Sequence, residues 1–245
     1  MTSVSAIPLE ACINADDLSA LAGDLQAVLA GGARRIELCG VMEQDGLTPS
    51  LAAMTIARHS LADLPGLLVM IRPRGGDFCY SAAELLQMQR SIELAAQAGA
   101  DGVVLGLLTE QGQLDISRLK PLLAQSQAAG LQVTFHRAFD ALPDPLVALE
   151  QLVDLGVQRI LTAGTAWGSG LGILHGVPLV QQLLQQAAGR VELVLGGGVN
   201  QQNLPQLLPA LQSWRQGFSI HSYSALLTQG RVDPDKVRQL TQWCR

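Results

Sequence analysis

Short apolar segments rich in β-branched residues recur along the whole chain at intervals of roughly 30 residues, the size of a strand–helix–strand unit. They are PLEACI from Pro8, RIELC from Arg35, LLVMIR from Leu67, GVVLGL from Gly102, LQVTFH from Leu131, QRILTA from Gln158, VELVLG from Val191 and FSIH from Phe218. The stretches between them carry apolar residues at three-and-four spacing, as in ELLQMQRSIELAAQAGA from Glu84 and DPLVALEQLVDLG from Asp144, the signature of an amphipathic helix. Glycine stands at the helix ends in AGGARRIEL, AGADGVVL and LGVQRIL, where a left-handed cap strains a residue without Cβ least. Eight such alternations, with no linker and no low-complexity segment, predict an α/β fold. The parallel sheet closes into a TIM-type (β/α)8 barrel that forms one domain over residues 1–245. A doubly wound open sheet would show a glycine-rich phosphate fingerprint after its first strand. Here the first strand runs instead into NADDLSALAGD, an asparagine or aspartate helix cap, so no nucleotide cofactor is expected.

Only 15% of the 245 residues are charged and the formal net charge is -5, against about 25% charged residues in an ordinary soluble domain. No basic face is available for nucleic acid. No apolar run approaches the roughly 20 residues of a membrane span. The start, MTSVSAIPLE, lacks the basic and long apolar regions of a secretory signal, which places the protein in the cytoplasm. Cys12, Cys39, Cys79 and Cys244 lie far apart without a CxxC pair, so neither a zinc knuckle nor disulfides are expected.

Active sites of such barrels form at the C-terminal ends of the strands, and polar residues on the strands therefore carry the most information. Glu10 lies in the first strand, Glu37 in the second, Arg72 ends the third, His136 ends the fifth, Thr162 is near the end of the sixth and His221 ends the eighth. Charges on otherwise apolar strands must be paired when buried, and these groups are expected to pair with one another. Period-two alternation puts Glu10 and Cys12 on one side of their strand and Glu37 and Cys39 on one side of the next. If the carboxylates face the interior, the two thiols do as well. They then either hold a soft ion such as Cu(I) or act as small hydrophobes.

Three further stretches suggest an anion site. In MIRPRGGDFCYS, Arg72 and Arg74 flank a proline and precede a glycine turn and Asp77. Their guanidinium forks face a carboxylate or phosphate ligand, or neutralise Glu10, Glu37 and Asp77 as a structural network. In TFHRAFD, His136 is a candidate general acid or base, and Asp140 either orients it or holds Arg137. LTAG, with Thr162 and Gly164, and LGGGVNQQNL, with Gly196, Gly197 and Gly198, offer backbone N–H groups where barrels commonly bind phosphate. Glu37 is a second proton-transfer candidate. Trp167 is expected to cover the mouth, and Trp214 and Trp243 to serve packing.

The strings RIELCGVMEQDGLTPS, MIRPRGGDFCYS, VTFHRAFD, GVQRILTAG and GGGV, in this order and spacing, resemble the CutC family of copper homeostasis proteins over nearly the whole chain. The matching positions are Glu10, Glu37, Cys39, Arg72, Arg74, Asp77, His136, Arg137, Asp140, Thr162, Gly164 and Gly197, with His221 and Ser222 after the eighth strand. The chain departs from the family pattern at Tyr223, between Trp167 and Val177, and in LQSWRQGFSI. The resemblance implies a cytoplasmic barrel, a homo-oligomer, and a link to copper handling, with Cys12 and Cys39 as the Cu(I) ligands. The alternative is an enzyme acting on a small phosphorylated or carboxylated metabolite. There Arg72, Arg74 and the glycine loop bind the anion, while His136 or Glu37 moves a proton.

Overall fold

A computed structural model describes residues 6–245. Eight parallel strands pair in sequence order and close on themselves: β1 (Leu9–Asn14), β2 (Arg35–Cys39), β3 (Leu67–Met70), β4 (Gly102–Leu105), β5 (Gln132–Phe135), β6 (Arg159–Thr162), β7 (Glu192–Leu195) and β8 (Phe218–Ser222). Closure is made by β1 on β8, with Glu10 opposite His221. Helices α1 (Leu18–Gly31), α2 (Leu51–Leu61), α3 (Ala82–Gln97), α4 (Ile116–Ala128), α5 (Pro145–Asp154), α6 (Ile173–Ala187), α7 (Leu204–Ala210) and α8 (Pro234–Trp243) complete the (β/α)8 barrel. A hairpin of β9 (Leu227–Thr228) and β10 (Arg231–Val232) is inserted before α8.

Local sequence explains where these elements begin and end. Asp17, Ser50, Ser81, Asp115, Asp144 and Asp233 each accept a backbone N–H of the first helical turn, satisfying donors that a helix start leaves free. Ser81 and Glu84 form a reciprocal capping box. Gly32 ends α1 in the left-handed conformation at φ 95°, as the glycine-before-strand pattern predicts.

The apolar residues fall into two bodies. A large shell between strands and helices contains the outward-facing residues of the strands, such as Ile36, Leu38, Val69 and Ile160. Inside the barrel lies a much smaller cluster of Cys12, Cys39, Leu68, Met70 and Val104. Most of the remaining interior positions are polar, Leu161 and Val194 being apolar exceptions. At the N-terminal end, Arg35 Nε meets Glu10 at 2.7 Å and its Nη2 meets Glu192 at 2.5 Å, and the guanidinium also donates to Ser219. Burial works against charge on Glu10 and raises its pKa, with Arg35 opposing the shift.

Trp214 packs against the shell as expected, whereas Trp243, on the last turn of α8, is 49% exposed. The buried Cys244 joins the two chain ends instead, its carbonyl accepting from Ile7 N at 2.8 Å. The tightest helix-to-barrel approach is at Gly176 of α6. A Cβ there would lie 1.9 Å from the Ala163 carbonyl oxygen and 2.8 Å from the backbone of Gly164, so α6 can reach the loop after β6 only without a side chain. Gly176→Ala is therefore expected to push α6 outward at a cost of about 1–3 kcal/mol or more, read as a Tm at least about 3 °C lower in thermal unfolding.

Candidate functional site

The C-terminal mouth of the barrel holds a cavity of about 230 Å³. One wall carries sulfur and a buried ion pair, and the other carries arginine, histidine and aromatic rings. Cys12 and Cys39 project inward from adjacent strands with their sulfurs 3.8 Å apart. Next to them His221 Nε2 lies 2.7 Å from Glu37 Oε2. Desolvation by itself would neutralise both members of this pair. The mutual attraction outweighs it, so Glu37 is held below the ordinary carboxylate value and His221 well above the ordinary imidazole value. Both are charged at neutral pH.

The thiols behave oppositely. Cys12 donates to Cys39, and this hydrogen bond, with burial added, raises its pKa well above the ordinary thiol value. For Cys39 the accepted hydrogen bond favours the thiolate, but burial and the Glu37 and Glu10 carboxylates prevail and push it up to about 11. At neutral pH both cysteines are protonated and inert.

On the facing wall, His136 follows β5. Its Nδ1 accepts the Ala138 N–H at 3.1 Å, capping a short 3₁₀ helix (Arg137–Ala141), which leaves the ring proton on Nε2. Burial, with Arg72 adding to it, pushes the pKa down to about 3. His136 is therefore a neutral donor throughout the physiological range, and its buried Nε2 has no partner among the described residues. Arg137 stacks on Trp167 at 5.1 Å, and Trp167 meets Phe78 edge-on at 5.2 Å. This Arg–Trp–Phe set covers one side of the cavity, as expected for Trp167.

Several predicted residues serve the architecture around the cavity. Arg72 lines it, yet its guanidinium also donates to the carbonyls of Gln44, Asp45, Gly46 and Gly76, tying two loops together. Arg74 does not line it. Its Nε meets Glu84 at 2.6 Å, and its Nη2 meets Asp77 at 2.8 Å and the Cys79 carbonyl at 2.7 Å; of the expected neutralising network only Arg74 with Asp77 forms, while Glu10 and Glu37 pair with Arg35 and His221. Asp140 holds Arg137 at 2.7 Å and Ala163 N at 3.0 Å and accepts from the Thr162 hydroxyl; His136 is not among its partners. Thr162 in turn accepts from Gly164 N at 2.9 Å. Gly196, Gly197 and Gly198 lie outside the cavity wall. Gly197 takes φ 84°, with room for a Cβ denied by Ala163 at 2.5 Å, so the triple glycine brings two loops into contact. Glu10 sits at the start of β1, below the mouth, on Arg35.

Two cavity residues were not legible as functional. Met70 shares the inward phase of Leu68 on β3, and Met42 comes from a 3₁₀ turn (Met42–Gln44) in the loop after β2. Met70 carried a readable signal, its place two residues before Arg72; Met42 carried none.

The sequence matches the CutC family over residues 7–213. The chain belongs to the CutC family. A family protein CutC from Bacteroides thetaiotaomicron is 48% identical over 181 residues, 74% of this chain and 70% of that protein. The human copper homeostasis protein cutC homolog is 45% identical over 178 residues, 73% of this chain and 62% of its own length. A CutC structure from Streptococcus agalactiae superposes with a TM-score of 0.75 at 32% identity, covering 89% of this chain and 99% of that one. His221 lies beyond the stretch that matches the CutC family, while its partner Glu37 lies within it.

The Glu37–His221 pair has a defined pH window. Glu37 is depressed, so its contribution to stability is full above about pH 4.5 and is lost as pH falls through its folded value. His221 is raised, so its contribution is full below about pH 6.5 and is lost as pH rises through its folded value. Glu37→Gln strands a buried cation and should cost about 3–5 kcal/mol in denaturant unfolding, with the largest difference from the parent between about pH 4.5 and 6.5. For His136, nitrogen chemical shifts should report the Nε2–H tautomer, unchanged from pH 5 to 8.

Proposed function

We propose that this chain binds Cu(I) as cargo in cytoplasmic copper homeostasis, with Cys12 and Cys39 as thiolate ligands. The observation that carries the proposal is the inward sulfur pair at 3.8 Å in a cluster that also contains Met70, with Met42 packed against it. Thiolate and thioether donors select soft monovalent copper over harder ions. The sulfur separation is shorter than two metal–thiolate bonds of about 2.3 Å each, which suits a bent arrangement with a third donor. Glu37 is close enough to take that place, its carboxylate lying within 4.8 Å of both sulfurs.

The charge balance of the site supports the same reading. Replacing two thiol protons by one monocation takes the neutral set of two thiols, Glu37 and His221 to a net charge of -1, and the protonated His221 beside Cys12 keeps the excess from being larger. Because both thiols are protonated at neutral pH, loading releases protons. Anaerobic Cu(I) titration should give an apparent affinity that rises with pH, by up to about 100-fold per unit when two protons leave. A Cys12→Ser, Cys39→Ser double variant should lose the site, and unchanged affinity in that variant would remove the assignment. The family resemblance also supports a homo-oligomer, which light scattering would report as a multiple of 25.9 kDa.

A second reading is an enzyme acting on a small carboxylated or phosphorylated metabolite, with turnover at the same mouth. It is favoured by the unpartnered Nε2–H of His136, a fixed neutral donor suited to an oxygen acceptor, beside Arg137. The cavity admits only a small molecule. A thermal-shift series of carboxylates and phosphates should show stabilisation that is lost in Arg137→Ala; no shift with any anion counts against this reading.

A further inference from the structure

The N-terminal end of the barrel, opposite the mouth, opens into a second cavity of about 770 Å³. Four arginines line it: Arg34, Arg35, Arg159 and Arg245. Arg35 is fully engaged with Glu10, Glu192 and Ser219. Asp101, the acidic side chain in the wall, is engaged as well, accepting from Gly66 N and Leu67 N at 2.8 Å and from Arg58 at 3.2 Å.

Arg159 differs from both. It is only 6% exposed and is oriented by neutral groups, its Nε on the Thr134 hydroxyl at 3.0 Å and its Nη1 on the Gln132 side-chain oxygen at 2.7 Å. Its Nη2 is buried and has no hydrogen-bond partner, and the nearby carboxylates, Glu10 and Glu192, form their ion pairs with Arg35, Glu10 through Oε2 alone. A buried guanidinium ordinarily has a contacting counter-charge. Arg34 and Arg245, on the exposed rim, likewise have no ion-pair partner among the described residues. Burial lowers the Arg159 pKa, with Arg35 adding to it and Glu10 and Glu192 opposing.

We propose that this second cavity is a binding site for a small dianionic oxyanion of the phosphate type, with Arg159 as the buried anchor and Arg34 and Arg245 as rim contacts. Guanidinium forks suit such an oxyanion, and three cations without contacting carboxylates favour a dianion over a monoanion. The site is separate from the copper-binding or catalytic mouth, and its test does not depend on either.

The experiment is calorimetric titration of the full chain with inorganic phosphate, and with acetate as the monoanion, at constant ionic strength. Phosphate should bind saturably, and acetate at least about tenfold more weakly. Arg159→Gln should weaken phosphate binding by at least about tenfold, the loss of a charged hydrogen bond. Because Arg159 is buried, the exposed double variant Arg34→Gln, Arg245→Gln provides a second measurement; it should retain the parent Tm and also lose affinity. Arg90→Gln, on the exposed face of α3 and outside both cavities, should bind phosphate as the parent does. Absence of saturable binding, or affinity unchanged in both the Arg159 and the rim variants, would each overturn the proposal.

Discussion

A closed parallel barrel sends every second side chain of eight strands toward one axis, where water is excluded and an unpaired charge is costly. In this chain that axis is largely ionic. Arg35 bridges Glu10 and Glu192 near the N-terminal end, and Glu37 holds His221 near the C-terminal end. Arg35–Glu10 joins the neighbouring strands β2 and β1, whereas Arg35–Glu192 and Glu37–His221 join β2 to β7 and β8, which are not its neighbours in the sheet, so they fasten the barrel through its interior. The apolar cluster of Cys12, Cys39, Leu68, Met70 and Val104 fills the space between them. Stability and the candidate site therefore draw on the same residues, and a charge-poor chain still places Glu10 and Glu37 inside its barrel.

The fold was readable because its two periods are strong and separate. Apolar runs of strand length alternate with three-and-four spacing, and glycine or aspartate marks most changes of element. Differences arise where the chain leaves this grammar. β3 ends at Met70 rather than at Arg72, because Arg72 N turns to the Thr48 hydroxyl at 2.8 Å and the strand leads into Pro73. The β9–β10 hairpin has only two residues on each side of a Gln229–Gly230 turn, too little apolar patterning to register as strands. Trp243 faces solvent because α8 turns its buried face, Val237 and Leu240, toward the barrel.

The site was legible where strand parity decides direction. Cys12, Glu37, Cys39 and His221 converge because each is in phase with an inward neighbour. Parity also explains Thr162, which lies one residue beyond the inward Leu161 and so turns away from the cavity. It could not place residues beyond a strand end. Arg74 has the same parity as Arg72, yet the intervening Pro73 breaks the extended run, and Glu84 and Asp77 capture its guanidinium. Nor could residue type distinguish Asp140 as an orienting group for His136 from Asp140 as a fastener between the loops after β5 and β6. That choice depends on which backbone N–H groups lie within reach, a property of the folded loops alone.

The two histidines at the mouth bear on which metals the proposed site would admit. A metal binds imidazole through a nitrogen lone pair. His136 has committed the lone pair on Nδ1 to the Ala138 N–H and carries its proton on Nε2; His221, protonated against Glu37, has none to give. Two residues that usually invite zinc or divalent copper are thus electronically closed at neutral pH. An ion entering as proposed would meet sulfur and one carboxylate, and discrimination among metals would then arise from withheld nitrogen as much as from offered thiol.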